Sequence, residues 1–268
     1  MIREVRTDPF IFRWPVSIAG YEWLESKMDG GLRLIARDEP GAGIRLEEPP
    51  NKLFRDFAAL IPTEDEIRDF ANAHGDLFRT YDGIQDIVVR KNQTATYGTS
   101  LESWKKAIQD MRQLVELWDH IQYRRITRLR RLIDMDKNGI SYSIGGRWVL
   151  LAHKEILLTA PMSRFSPRDV ILPARYALQK EVNRRLADPS TLTVPELAWT
   201  PDNFHRLIFR PSNLLAALWL QFAQELTGEF KLKACEVCGK PIQVGPGGRR
   251  ADTKTCSAAC RQKKKRKQ

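Results

Sequence analysis

Thr99-Ser-Leu-Glu-Ser-Trp-Lys-Lys-Ala-Ile-Gln-Asp-Met-Arg-Gln-Leu-Val-Glu-Leu-Trp-Asp-His-Ile-Gln122 is the stretch that sets the character of the chain. Leu101, Trp104, Ile108, Met111, Val115 and Trp118 recur at spacings of three and four, which lines them up on one side of an α-helix. Thr99 and Glu102 stand three apart and fit a capping box at its start. An apolar stripe of this kind is a core face rather than a cofactor site.

Reading towards the C-terminus, residues 124–133 hold Arg124, Arg125, Arg128, Arg130 and Arg131 among apolar positions. This predicts a short helix with a solvated basic face, with a second nucleic-acid contact surface as the alternative. The next segment, Asp134 to Gly145, begins like a calcium loop, with Asp134, Asp136, Asn138 and Gly139 in place. Its twelfth position is Gly145 where a bidentate Glu is needed, so calcium is rejected. Asn138-Gly139 between short alternating runs signals a hairpin instead, and a second apolar run, Trp148 to Ala152, follows Gly145-Gly146. Pro167 to Asp188 predicts another helix, with Pro173 in its first turn and Ala174, Leu178, Val182 and Leu186 inward. A Pro/Thr-rich connection is expected over 189–201. Ser212 is then expected to cap an almost wholly apolar helix, Asn213–Leu226, ended by Gly228.

Reading towards the N-terminus, Thr63-Glu64-Asp65-Glu66 fits a capping box for a helix to about His74, with Ile67, Phe70 and Ala71 inward and Gly75 as its stop. Residues 1–50 are rich in Gly, Pro and charge, with short apolar runs at Phe10–Phe12 and Leu32–Ile35. They predict short strands and loops. The expected fold class is mainly α with short β-hairpins (α+β), and the helical body occupies residues 1–230.

Composition agrees with a packed body. The 268 residues are 42 % hydrophobic and 9 % aromatic, with seven Trp, which argues against a disordered chain. No run of about 18 apolar residues implies a membrane span. The opening MIREVRTDPFIFRWPV has no uninterrupted apolar segment of a signal peptide. The expected compartment is the cytoplasm, with no membrane partner.

Charge and cysteine are both concentrated at the C-terminus. Residues 231–268 hold twelve Lys/Arg against two acids, Glu236 and Asp252, so they carry +10 of the net +11. Arg249, Arg250, Lys254, Arg261, Lys263, Lys264, Lys265, Arg266 and Lys267 are the candidate nucleic-acid contacts, since a concentrated basic segment points to a polyanion. All four cysteines, Cys235, Cys238, Cys256 and Cys260, fall in the same segment. A CxxC pair, seventeen residues and a CxxxC pair in a chain otherwise free of Cys read as a metal site rather than a disulfide framework. Four thiolates suit one tetrahedral Zn²⁺ and leave no position for a catalytic water. A module this small has little core, so metal binding supplies much of its folding energy. The boundaries that follow are a body over 1–230 and a zinc module with a basic tail over 231–268.

Cys235-x-x-Cys238-Gly and Cys256-Ser-x-x-Cys260-Arg resemble treble-clef fingers of the FCS and MYM kind. They are also similar to the C-terminal finger of bacterial CGNR zinc-finger proteins, in which a helical domain precedes a zinc module. A group of bacterial proteins resembles the chain further, with a Leu/Trp-rich helix like Leu214–Phe222 leading into a C-x-x-C-G … C-S-x-x-C-R-Q finger. The motif covers about 235–266, and Cys260-Arg-Gln-Lys stands where CGNR proteins have Cys-Gly-Asn-Arg. The resemblance implies a treble-clef-like finger and a DNA-binding transcriptional regulator, whose body senses a small-molecule effector or a protein partner.

Enzyme signatures are absent from the sequence. His74, His120, His153 and His205 are scattered, and no HExxH, GxSxG or GxxxxGK[ST] occurs. Asp119-His120 could act as an acid/base pair only with partners brought by folding, and Glu47-Glu48 and Asp134/Asp136 lie in expected loops. Three readings therefore compete: a nucleic-acid binder, a protein-interaction adaptor built on the zinc module, and an enzyme with a site assembled from distant residues. Gln243 and Gln262 are the only Asn/Gln candidates for base reading in the finger, so sequence specificity is not legible.

Overall fold

The computed structural model describes residues 12, 14–26, 29–37, 44–47, 52–78, 98–136, 139–153, 169–191, 193–199, 205–227, 231–234, 236–237, 241–244, 253–255 and 258–265. Among them, seven α-helices combine with antiparallel sheets of two or three strands, a mixed α and β architecture. Two compact units are distinguished, Met1–Leu220 and Gln221–Gln268.

The first unit begins with strands. β1 (Trp14–Ser17) pairs antiparallel with β4 (Ile44–Glu47), and β2 (Tyr21–Glu25), β3 (Leu32–Ala36) and β5 (Thr99–Ser100) form a second sheet in that order. Gly98 admits β5 to this sheet. Its φ is +123°, and a Cβ there would lie 2.6 Å from the carbonyl oxygen of Leu34, so only glycine fits. Phe10–Ile11 lies outside the described residues.

Helices α1 (Leu53–Ala59) and α2 (Glu64–His74) follow. The Thr63 hydroxyl accepts from the Glu66 amide at 3.4 Å, three acids occupy the first turn of α2, and Gly75 closes it at φ +99°. Those features satisfy the orphan N–H groups and place negative charge at the positive end of the helix dipole. Ile67, Phe70 and Ala71 are buried, as the pattern required.

The long helix α3 (Leu101–Gln122) packs against α1, α4 (Ile126–Leu132) and α5 (Ile171–Leu186). Its stripe is the core: Trp104 is fully buried, as are Met111 and Leu117, and Phe57 lies between Phe70 and Trp104 with ring centroids 5.6 and 6.1 Å away. The cap is Ser100, whose hydroxyl accepts from the Ser103 amide at 3.1 Å. Thr99 instead donates to the Asp76 carboxylate at 2.7 Å inside the fold. Arg112 donates to the carbonyl oxygens of Ala58 (2.7 Å) and Leu60 (2.5 Å), which satisfies the C-terminal end of α1.

β6 (Ile133–Asp136), β7 (Gly139–Ile144) and β8 (Arg147–His153) form a meander. Asp134 therefore sits in a strand ladder opposite Ser141, not in a calcium loop. α5 buries Ala174, Leu178 and Val182, while Leu186 is half-buried. Arg185 leaves α5 to meet Asp110 of α3 at 2.7 Å and lies over the Trp219 ring at 5.7 Å.

The expected irregular connection over 189–201 is overturned. β9 (Thr193–Trp199) pairs along its whole length with β10 (His205–Pro211). Pro195 does not forbid this, because a strand with an unpaired edge tolerates a missing donor. The next helix, α6 (Leu214–Thr227), is capped by Asn213 rather than Ser212: the Asn213 side-chain oxygen accepts from the Ala216 amide at 2.9 Å. Gly228 lies outside the described residues. No helix among the described residues is long and apolar enough to cross a membrane.

Candidate metal centre and nucleic-acid interface

β11 (Lys231–Ala234) and β12 (Pro241–Val244) pair antiparallel, with Ala234 opposite Pro241. The connection between those paired ends carries Cys235 and Cys238 in sequence. Within it, Glu236 and Val237 form a turn. The second cysteine pair belongs to the segment that leads into α7 (Ala258–Lys265). Cys260 lies in the first turn of α7 and is half-buried. Cys235, Cys238 and Cys256 lie outside the described residues, as do Arg249, Arg250, Arg266, Lys267 and the side chain of Lys265.

Glu236 joins the two segments. Its amide donates to the carbonyl oxygen of Lys254 at 3.0 Å. Its carboxylate accepts from the Lys264 ammonium, and the Lys254 ammonium stands 4.0 Å away. The hydrogen bond from Lys264 holds the Glu236 carboxyl below the usual carboxylate range; desolvation opposes it, and the charges of Lys264 and Lys254 add smaller contributions in the same direction as the hydrogen bond. The residue between the first two cysteines is thus tied to the residue two before Cys256 and to the residue four after Cys260.

The tie also orients α7. Cys260 and Lys264, four apart, share a face, and Lys264 is half-buried against Glu236. Arg261, Gln262 and Lys263 are exposed. Of the sequence-read contacts that are described, Arg261 and Lys263 therefore face solvent, Lys254 is exposed beside Glu236, and Lys264 is engaged. Glu236 was the residue that sequence reasoning passed over. Its signal was present, since it is one of only two acids among twelve bases in this segment.

No family model, curated protein or solved structure matches the chain. Among the described residues no group of three or more His, Cys, Asp or Glu side chains converges as a metal site; of the four cysteines, only Cys260 belongs to those residues.

The enzyme candidates do not come together. Asp119 holds Arg55 through both oxygens, at 3.1 and 3.3 Å, so its carboxylate is engaged away from the role of a histidine partner. Burial, followed by the charges of Arg125 and Arg128, pushes the pKa of His120 down, with Glu116 and Asp119 opposing. His74 packs its ring on Phe70 at 4.8 Å in the last turn of α2, and His205 is exposed in β10. Glu48 and the side chains of Glu47 and His153 lie outside the described residues.

Proposed function

We propose that the chain is a nucleic-acid-binding protein, a DNA-binding regulator, whose C-terminal segment folds as a treble-clef-like finger around one structural Zn²⁺. Cys235, Cys238, Cys256 and Cys260 hold the ion. The observation that carries this reading is the joining of both cysteine-bearing segments through Glu236, Lys254 and Lys264. A hairpin whose connection carries Cys235 and Cys238 in sequence, tied to the segment and helix that follow Cys256 and carry Cys260, supports donors of the correct type in one small module. Four thiolates close the coordination sphere, so the ion's contribution is to link hairpin and helix rather than to activate water.

The basic residues then start from an ordered stem. Arg261 and Lys263 project from α7 into solvent, and Lys265, Arg266 and Lys267 continue the run. Such a series follows a phosphate backbone and does not present a base-reading edge. The test combines metal analysis with a salt titration of DNA binding. The protein is compared with a variant in which Arg261, Lys263, Lys265, Arg266 and Lys267 become Gln while Lys264 is kept. One zinc per chain is expected in both. The log–log salt slope is expected to flatten by about 2–3, for two or three engaged phosphates at roughly 0.9 each. Zinc well below one equivalent refutes the metal reading, and an unchanged affinity and slope refutes the role of the tail.

A further inference from the structure

The loop joining α3 to α4 places an arginine where the backbone favours glycine. The Arg125 amide donates to the carbonyl oxygen of His120 at 2.8 Å, and the Arg124 amide to that of Ile121 at 3.2 Å. These are the two bonds of a Schellman motif, and Arg124 is its left-handed residue, at φ +49°. A side chain in this conformation is disfavoured by about 1–2 kcal/mol relative to the right-handed one, a cost that glycine avoids. Backbone economy does not account for arginine at this position.

Its neighbours share the same charge. Arg124, Arg125, Arg128, Arg130 and Arg131 are all exposed, while the buried Leu129 anchors α4 beneath them. Several arginines elsewhere in this unit pair with carboxylates: Arg33 with Asp29, Arg55 with Asp119, Arg68 with Asp65, Arg184 with Glu181, Arg185 with Asp110 and Arg210 with Glu196; Arg112 holds backbone carbonyls, and Arg147 and Arg175 stand singly in solvent rather than in a cluster. Among the described residues, none of the five at 124–131 does so. Beside the cluster, Tyr123 is 70 % exposed, with the Arg125 guanidinium 5.4 Å from its ring centroid.

We infer that Arg124, Arg125, Arg128, Arg130, Arg131 and Tyr123 form a binding surface for single-stranded nucleic acid, separate from the finger and its tail. Guanidinium groups match phosphate oxygens in planar, bidentate fashion. Unpaired bases stack on exposed aromatic rings and on guanidinium planes, which a duplex does not offer. The inference shares the partner class of the finger reading but none of its residues, so each can fail alone.

The experiment uses the full chain with Arg125→Gln, Arg128→Gln and Arg131→Gln combined, with Tyr123→Ala, and with the tail-neutral variant described above. Each is titrated against a labelled single-stranded oligonucleotide and against the matching duplex over a range of salt. The triple variant is expected to lower the single-strand salt slope by about 2, at roughly 0.7 per phosphate. Tyr123→Ala is expected to weaken single-strand binding about tenfold, within what one stacked base contributes, and to leave the duplex unaffected. Single-strand affinity and slope unchanged in the triple variant overturn the inference, even where the tail-neutral variant has lost binding. Loss of binding confined to anionic phospholipid vesicles, measured in parallel, also overturns it.

Discussion

Glu236→Gln tests whether the acid inside the proposed finger competes with a bound nucleic acid for Lys254 and Lys264. Glu236 holds Lys264 directly and stands 4.0 Å from Lys254. A phosphate approaching Lys264 must displace this carboxylate. Gln has nearly the same shape and keeps the backbone bond from residue 236 to Lys254, so the connection of the two segments survives. The substitution therefore removes one negative charge and frees one cation. At roughly 0.9 per neutralised phosphate, the log–log slope on duplex DNA is expected to steepen by about 0.9. The electrostatic gain vanishes near 1 M salt, so at about 0.1 M the variant is expected to bind about eightfold more tightly. Because the folded-state pKa of Glu236 is lowered, its tie to Lys264 is complete above the ordinary carboxylate range and is lost as pH falls through the lowered value. Mild acid leaves Glu236 ionised, so the difference between the two proteins is expected to be the same there as at neutral pH. The assay is fluorescence anisotropy across a salt series at neutral and mildly acid pH, with zinc measured in each preparation. Equal or weaker binding by the variant at low salt, with zinc retained, refutes the competition argument and makes Glu236 a clamp that binding requires.

Two further substitutions divide the chain and one probes alkaline stability. Cys256→Ser is expected to abolish zinc retention while the body keeps its cooperative thermal transition; a single transition lost in the variant refutes this. Trp104→Ala, at a fully buried position, is expected to destabilise the body by about 3–5 kcal/mol in urea unfolding, with zinc content unchanged; a cost below about 1 kcal/mol contradicts the burial. Burial first, and then the charges of Glu181 and Glu116, raise the pKa of Tyr142 well above the ordinary phenol value. The unfolded chain therefore loses this proton first as pH rises through about 10, and stability falls there. Tyr142→Phe is expected to flatten that alkaline decline, as read by thermal melts between neutral pH and about pH 11; an unchanged decline assigns it to other groups.

The parts of the fold legible in the sequence were those decided by local periodicity. Trp104, Ile108, Met111, Val115 and Trp118 are buried on α3 as their spacing required, and the box at Thr63 caps α2. The misread positions were those where adjacent residues offer the same chemistry. Thr99 and Ser100 can both cap, as can Ser212 and Asn213, and the choice was made by what else each could reach. Thr99 finds the buried Asp76, which leaves the cap to Ser100. Asn213 bonds at once to the Ala216 amide and to the carbonyl oxygen of Ser190, 23 residues away. The strand at 193–199 was hidden by Pro195, because pattern reading cannot know that a strand will have an unpaired edge. In the candidate site, cysteine spacing marked the proposed ligands, but the bond from Glu236 to Lys254 spans 18 residues of unlike sequence and had no local signature.

Charge distribution shows why averages mislead for this chain. Residues 1–230 carry a net charge of only +1, which reads as a neutral body under a basic tail. That average hides a contrast among the arginines. Arg33, Arg55, Arg68, Arg184, Arg185 and Arg210 are each held by a carboxylate and contribute little long-range field. The five between 124 and 131 lie within eight residues that contain no acid. Spacing of this kind lies inside a Debye length of roughly 8–10 Å at physiological salt, so their fields add rather than being screened from one another. Self-repulsion in α4 opposes folding, and the arginine at the left-handed position adds to that cost. The Schellman bonds offset part of the backbone cost, and no described carboxylate pairs with the five arginines. The self-repulsion is relieved by a bound polyanion, which places phosphates among the like charges and releases condensed counterions. The free body is accordingly expected to gain thermal stability from an added single strand, and to lose that gain first as salt rises.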